Sequence, residues 1–434
     1  MSLWVQTMAN DKAREAVHVV DLMDRMGADA RSASAELATA STVAKNHALH
    51  SAATAIRSNA EAILSANNVD LDDVKSGNAD PAFVDRLELT ADRISSMADG
   101  LDEVAELADP VGEVMDSWVR PNGLRISRVR VPLGVIGIIY ESRPNVTADA
   151  GALCIKSGNA AILRGGSESF NSSQAIAACL SEGLQAADLR ADCVQLVPTR
   201  SREAVGQMLG MTEYIDVIVP RGGRSLTERV SQESKVAVLK HLDGICHIYL
   251  DAAADPIKAE MITVNAKMRR TGICGAAETI LVHKDAVQTA LPGVVKGLLE
   301  SGCEVRGDAL TQLLDDRVLA ATVEDWDTEY LAPIISIKVV GGLQDAIQHI
   351  GKHGSHHTDS IITEDPGSAE EFMNRVDSGI VLHNASTQFA DGGEFGMGAE
   401  IGISTGKLHA RGPVGVEQLT SYKYLVHGEG QVRP

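Results

Sequence analysis

Ten short apolar runs, separated by stretches with helical spacing, constrain this chain more than any other feature. The first five are Val135–Tyr140, Ala160–Leu163, Val194–Val197, Ile215–Val219 and Val236–Lys240. The second five are Ile245–Leu250, Thr279–His283, Ile334–Val340, Ser360–Thr363 and Ile380–His383. Between them fall helical patterns such as Phe170–Ala187, Arg202–Leu209, Pro256–Met268, Asp285–Leu299 and Leu343–Ile350. Parallel strands need crossover connections, so short strands alternating with helices predict doubly wound parallel sheets. Two series predict two α/β lobes with a boundary near Asp243-Gly244, and a cleft between lobes is a usual place for a ligand.

The segment before the first strand reads as helices. Leu37, Val43, Leu49, Ile56 and Ile63 repeat at helical spacing over Ala35–Ala66, and Asn67-Asn68 ends the pattern. Thr90 can cap a second helix to about Leu107, stopped by Asp109-Pro110. A helical layer on one face of the sheet is expected. Aromatic residues are only 3% of the chain, so Ala, Val, Ile and Leu must build the core. Val114–Arg120 and Leu124–Val131 flank Pro121-Asn122-Gly123, a strong hairpin signal. That ribbon either packs on its own domain or adds to a partner's sheet.

Charge and motifs exclude several functions. Thirty-nine cations against 59 acids give a net charge of −20, which disfavours nucleic acid and anionic membranes. The six cysteines form no CxxC pair and read as reduced thiols of a cytoplasmic protein. The first residues lack the order of a secretory signal, and no apolar run reaches membrane-spanning length. GxGxxG, GxxxxGK[ST] and HExxH are all missing. Gly402-Ile-Ser404-Thr-Gly406 matches a nucleophile elbow in letters but lacks the flanking strand and helix. His349, His353, His356 and His357 do not have the spacing of a standard zinc motif, so no metal is expected.

Three loops and one cysteine remain as candidates. Cys274 sits between Gly272 and Gly275, just after Lys267, Arg269 and Arg270 and just before a strand. Nearby cations favour a thiolate, and a sharp turn frees the Cys274 N–H for a substrate oxygen. Spacing alone leaves open a small residue buried at a loop-to-strand junction. Arg164-Gly165-Gly166-Ser167 and Arg221-Gly222-Gly223-Arg224-Ser225 each follow a strand and precede a helix. Such loops either hold anions on bare amides or are solvated turns, and two at one sheet edge favour a dinucleotide. Asn145, in the loop Tyr140–Val146, is either a turn residue or an amide aimed at an oxyanion.

With these residues in view, the chain resembles the aldehyde dehydrogenase superfamily. The resemblance rests on Pro132-Leu-Gly-Val-Ile-Gly, Lys156-Ser-Gly-Asn159, the Cys274 loop, Glu329-Tyr-Leu-Ala-Pro333 and the Gly-rich C-terminal end. Within it the chain is similar to the γ-glutamyl phosphate reductase (glutamate-5-semialdehyde dehydrogenase) family. That family's His-rich signature fits Val340, Ala346-Ile347, His349-Ile350, His353-Gly354-Ser355, His357-Thr358-Asp359 and Ile361. Arg143-Pro144-Asn145-Val146 and Leu408–Pro413 also match.

The resemblance implies two doubly wound α/β lobes plus a small oligomerisation β-element. It implies an NADP-binding domain over 1–116 and 132–243, a catalytic domain over 244–419, and oligomerisation strands at 117–131 and 420–434. The implied reaction is NADPH-dependent reduction of L-glutamyl 5-phosphate to L-glutamate 5-semialdehyde with release of phosphate, in proline biosynthesis. Cys274 would be the nucleophile and Asn145 the oxyanion amide. Glu329 would hold the nicotinamide ribose, and Arg164, Gly165, Ser167, Gly222, Gly223 and Ser225 would hold NADP(H). A homo-oligomer and contact with a glutamate 5-kinase follow by analogy. Ser167 stands where NAD-preferring relatives carry an acid, although Glu168 follows. Where hydrolytic relatives carry Glu-Leu-Gly-Gly this chain has His241-Leu242-Asp243-Gly244, so the usual water-activating base is missing. Among Lys267, Arg269, Arg270 and Arg411, sequence does not rank which cation meets the glutamyl carboxylate.

Overall fold

The computed structural model describes residues 3–75, 81–239 and 243–433. Its strands, in chain order, are β1 Val114–Val119, β2 Arg125–Pro132, β3 Val135–Tyr140, β4 Ala160–Arg164, β5 Val194–Leu196, β6 Val217–Arg221 and β7 Ala237–Val238. They continue with β8 Cys246–Leu250, β9 Ala277–His283, β10 Glu304–Gly307, β11 Leu319–Ala320, β12 Ile334–Val340, β13 Thr358–Ile362 and β14 Ile380–His383. Three more close the chain: β15 Ile403–Ser404, β16 Gly412–Pro413 and β17 Thr420–His427.

The chain divides into two compact units. The first holds residues 1–240, 397–402 and 414–434, and the second 241–396 and 403–413. Near the C-terminus the units therefore alternate along the chain, where the sequence reading draws one boundary at 419.

In the first unit β5-β4-β3-β6-β7 form one parallel sheet. β3 and β4 are buried throughout, which is what a sheet covered on both faces requires. The N-terminal helices are arranged differently from the expected single layer. Leu3–Leu37 reaches the sheet, where Val19, Met23, Met26 and Ala30 join Val135, Ile139, Ala160 and Ile162 in one core. Thr42–Ser58 packs instead on the helices Phe170–Ala186 and Ala91–Glu106. Small residues make that crossing close: a Cβ added to Gly183 would lie 2.5 Å from the Ala48 carbonyl oxygen.

Two helix boundaries correct the sequence reading. Ser41 breaks the expected run Ala35–Ala66 by accepting the Ala44 N–H on its hydroxyl, and starts a new helix. Asn67 does not end a helix; Ala60–Lys75 runs through it. Its buried amide donates to Leu87 O and accepts from Leu89 N–H, tying down the next segment. Thr90 does cap Ala91–Glu106, accepting from Arg93 N–H.

The predicted hairpin forms: β1 pairs antiparallel with β2, and Gly123 takes φ +88° in the turn. β17 pairs along the other edge of β2, from Thr420↔Pro132 to His427↔Arg125.

The second sheet has seven parallel strands, in the order β11-β10-β12-β9-β8-β13-β14. β10 and β11 are additional to the five expected. Its core includes Ile248, Leu250, Ile280, Val282, Ile335 and Ile337 packed on Ile262, Val294 and Leu298. Ser404 lies in the two-residue β15, buried against β16, and not at a strand-to-helix elbow.

Candidate active site

In the first unit, the candidate loops follow the C-terminal ends of β3, β4 and β6. These strands are neighbours, and β3 is where the chain switches direction across the sheet. Two carboxylates tie the loops together. Glu168 accepts from the Ser142 N–H (3.1 Å) and hydroxyl (3.0 Å) and from the Ser167 hydroxyl (3.2 Å). Glu141 accepts the Gly223 N–H at 2.9 Å, at the start of the helix Arg224–Glu233. An internal carboxylate thus already uses the kind of amide that a phosphate would use. Gly222 leaves room for it, since a Cβ there would lie 2.4 Å from a Glu141 carboxylate oxygen and push that side chain aside. Gly165 lies against the Tyr140 ring, and Ser225 is exposed in the first turn of the helix.

Arg164 ends β4 almost fully buried. One Nη donates to the Arg200 carbonyl, while its Nε is buried with no hydrogen-bond partner among the described residues. Burial lowers its pKa, opposed by the neighbouring Glu168. A buried, underused guanidinium fits an anionic ligand.

Asn145 stands at the N-cap of the helix Val146–Lys156 without capping it by its side chain. Its Nδ2 instead donates to Asp149 Oδ2 at 2.8 Å. Burial pushes the Asp149 carboxyl up to about 6, against the pull of Asn145 and Arg221.

In the second unit, the candidates precede the N-terminal ends of β8, β9 and β12, again neighbours in the sheet. Cys274 occupies the turn between the helix Pro256–Met268 and β9, and is partly exposed. The other five cysteines are buried. Gly244 presses on its backbone: a Cβ there would lie 2.1 Å from the Cys274 carbonyl oxygen. The Gly244 N–H donates to Glu329 Oε1 at 2.9 Å. Burial raises the Glu329 pKa, Asp243 adds to this, and that amide opposes it. Beneath the turn, Cys246 Sγ donates to the Cys274 carbonyl at 3.1 Å. Burial pushes the Cys246 thiol well above its usual value, with Asp359 and Cys274 adding to it.

The cations near Cys274 can now be ranked. Lys267 is fully buried and pairs with Glu278 on β9 at 2.5 Å. Burial raises Glu278 to about 7 despite Lys267. Glu278 also accepts the Leu331 N–H at 3.4 Å, close to Glu329. Arg411 is held by the Asp377 carboxylate (2.6 Å) and carbonyl (2.9 Å). Arg269 and Arg270 are exposed. Buried Gln388 fixes their turn, donating to Ala266 O and Arg270 O and accepting from Arg269.

The His-rich segment supports the start of β8. Ser355 Oγ accepts the Ile245 N–H at 2.9 Å. His357 lies 3.7 Å from Cys246 Sγ, and Asp359 accepts both the His247 backbone N–H and its ring nitrogen. His349 packs against His247, His353 and Trp326, and burial pushes its pKa down to about 2. His353 meets Asp327, and His356 meets the Asp377 carbonyl.

Sequence reasoning missed Asp149, Glu141, Gln388, the Lys267–Glu278 pair and the contact role of Gly244. Only Asp149, four residues after Asn145 on one helix face, carries a local signal. His241, whose position bears on water activation, lies outside the described residues, as does Leu242.

A family model described as the aldehyde dehydrogenase family matches residues 17–301. Gamma-glutamyl phosphate reductase of Rhodospirillum rubrum is 61% identical over 426 residues, 98% of this chain and 100% of that protein. The Nitrobacter winogradskyi protein of the same description is 60% identical over 414 residues, 95% of this chain and 97% of its own. The crystal structure of gamma-glutamyl phosphate reductase from Thermotoga maritima matches with a TM-score of 0.93 at 44% identity. That match covers 95% of this chain and 100% of the other.

Proposed function

This chain belongs to the aldehyde dehydrogenase family and, within it, to the γ-glutamyl phosphate reductases, oxidoreductases of proline biosynthesis that convert L-glutamyl 5-phosphate to L-glutamate 5-semialdehyde and phosphate; we propose that it works through a thioester on Cys274, with NADPH as hydride donor. Cys274 attacks the acyl carbon, and the C–O bond to phosphate breaks. Negative charge on the carbonyl oxygen is met by the Cys274 N–H and the Asn145 amide. NADPH, when bound, supplies the hydride that turns the thioester into a thiohemiacetal. Collapse of that adduct forms the aldehyde and returns the thiolate.

The observation that carries this reading is the Cys274 turn itself. It holds the one partly exposed cysteine, with Gly244 and Glu329 locked beside it. Arg269 and Arg270 are the exposed cations of that turn and suit the leaving phosphate. Glu329 is assigned to the nicotinamide ribose. Arg164, Gly165, Ser167, Gly222, Gly223 and Ser225 are assigned to the remainder of the cofactor. The Glu141–Gly223 bond and the underused Arg164 support an anion site in those loops.

NADP(H) is assigned over NAD(H), because Ser167 is neutral and the Glu168 carboxylate is committed to Ser142. Residues 244–419 are assigned as catalytic, and 117–131 with 420–434 as oligomerisation strands of a homo-oligomer. β17 supports this, since it is exposed along nearly its whole length with Tyr422, Tyr424, Leu425 and Val426 outward. No described helix is long and apolar enough to cross a membrane; a cytoplasmic location and contact with a glutamate 5-kinase, which an unstable acyl phosphate makes useful, belong to the same reading.

Phosphate dependence tests the assignment. Run backward, semialdehyde-dependent NADPH formation should require phosphate and saturate with it. NADPH formation at full rate without phosphate, with free glutamate accumulating, would show a hydrolytic enzyme.

A further inference from the structure

An asparagine at a helix N-cap ordinarily turns its side-chain oxygen to the N–H groups of the first turn. Asn145 makes no such cap, because its own backbone is already helical (φ −59°, ψ −27°), and its amide nitrogen faces Asp149 one turn later. The partner decides the orientation, because an ionised carboxylate can only accept. One Nδ2 hydrogen goes to Asp149. The second has no hydrogen bond among the described residues.

Asp149 is an odd choice if stability alone is at stake. It lies in the first turn, where a negative charge favours the helix, yet burial makes ionisation costly and holds its pKa near 6. Arg221 opposes that cost from the end of β6, the strand paired with β3, with Tyr140 opposite Arg221 in register. Gly402 lets this arginine lie close: a Cβ there would be 3.1 Å from Arg221 Nη1. A buried carboxylate, a cation whose charge favours its ionised form and an amide that donates to it thus occur together.

We propose that Asp149 is a positioning residue that holds the Asn145 amide with one N–H free for the substrate oxyanion. This rests on the oxyanion role assigned to Asn145 above. Arg221 completes the arrangement through its charge, which favours the ionised form of Asp149.

The test uses the full-length enzyme in the direction of semialdehyde oxidation, with Asp149→Leu, Asp149→Asn, Asn145→Ala and the double variant Asn145→Ala/Asp149→Leu. Asp149→Leu should lower kcat by about tenfold or more while KM for both substrates changes by less than about twofold. Asp149→Asn keeps an acceptor and should recover part of the loss. Neither should lower Tm at pH 7.5, because each removes a buried charge. In the Asn145→Ala background, Asp149→Leu should change kcat by less than about twofold, since the two act as one unit. An equal loss from Asp149→Leu in both backgrounds would overturn the proposal. So would wild-type kcat in Asp149→Leu alongside a loss in Asn145→Ala, or a loss that tracks a fall in Tm. Wild-type kcat in Asn145→Ala would remove the oxyanion role itself, and this inference with it.

Discussion

The loops of the first unit follow the C-terminal ends of their strands, whereas Cys274, Gly244 and Glu329 precede the N-terminal ends of theirs. The chemistry differs accordingly. A loop after a parallel strand leads into a helix N-terminus, which offers unpaired N–H groups and a positive partial charge. Gly222 and Gly223 are such a start, and even an internal carboxylate settles on it. A turn before a strand comes after a helix C-terminus, where carbonyls and negative partial charge accumulate. Cys274 sits six residues after Met268 at such an end. A thiolate there must be supported by side chains, and Lys267, Arg269 and Arg270 crowd the end of that helix. In one region a backbone N–H holds an internal carboxylate. In the other, buried side chains and close contacts set the geometry.

The largest effect should come from the proposed nucleophile. Cys274→Ala is expected to lower kcat by at least about 10³-fold while leaving folding and NADPH binding intact. Cys246→Ser should cost less than about tenfold, since a hydroxyl can still donate to the Cys274 carbonyl. Comparable losses would make the pair, and not the one thiol, the reactive unit. Gly244→Ala comes next. Its Cβ would displace the Cys274 backbone, and a shift of about 1 Å can cost about 10²-fold. Single-turnover thioester formation measures it; an unchanged rate would show that this region is softer than the contacts imply.

A third measurement sharpens the contrast through stability. Native Glu278 ionises near pH 7, against an ordinary value of 4.5. Its burial therefore weakens folding as pH rises through that window, and Lys267 limits the loss. Lys267→Met removes the compensation. It should destabilise by about 3 kcal/mol or more at pH 8 and by less at pH 6, where Glu278 is protonated. Denaturant unfolding at both pH values checks the sign; an equal loss at both would mean that Lys267 acts by packing. The smallest effect belongs to the first region. Ser167→Glu should lower the NADP-to-NAD ratio of kcat/KM by about tenfold with little change in kcat. A matching fall in kcat would tie these loops to the chemistry.

Period and turn chemistry made the central strands, the Asn122-Gly123 hairpin and the Thr90 cap legible in the sequence. β10 and β11 were not, because each is short and β11 is exposed at the sheet edge. Asn67 misled because asparagine usually ends helices, whereas here a tertiary contact uses its amide inside one. The glycines and cations around Cys274 suggested the nucleophile proposed above. The Gly244 contact, the Lys267–Glu278 pair and the Gln388 brace join residues far apart in sequence, and no local pattern announces such pairings.

The ribbon has a consequence for biosynthesis. β2 pairs along one edge with β1, made just before it, and along the other with β17, about 290 residues later. At about 5–20 residues per second, a ribosome leaves that second edge bare for roughly 15–60 s. During that time Ile126, Val129 and Val131 lie on a strand able to pair with any other emerging strand. A chain cut before Thr420 would keep that edge permanently, so truncation at the C-terminus should raise aggregation in cells well before it removes any residue assigned to catalysis.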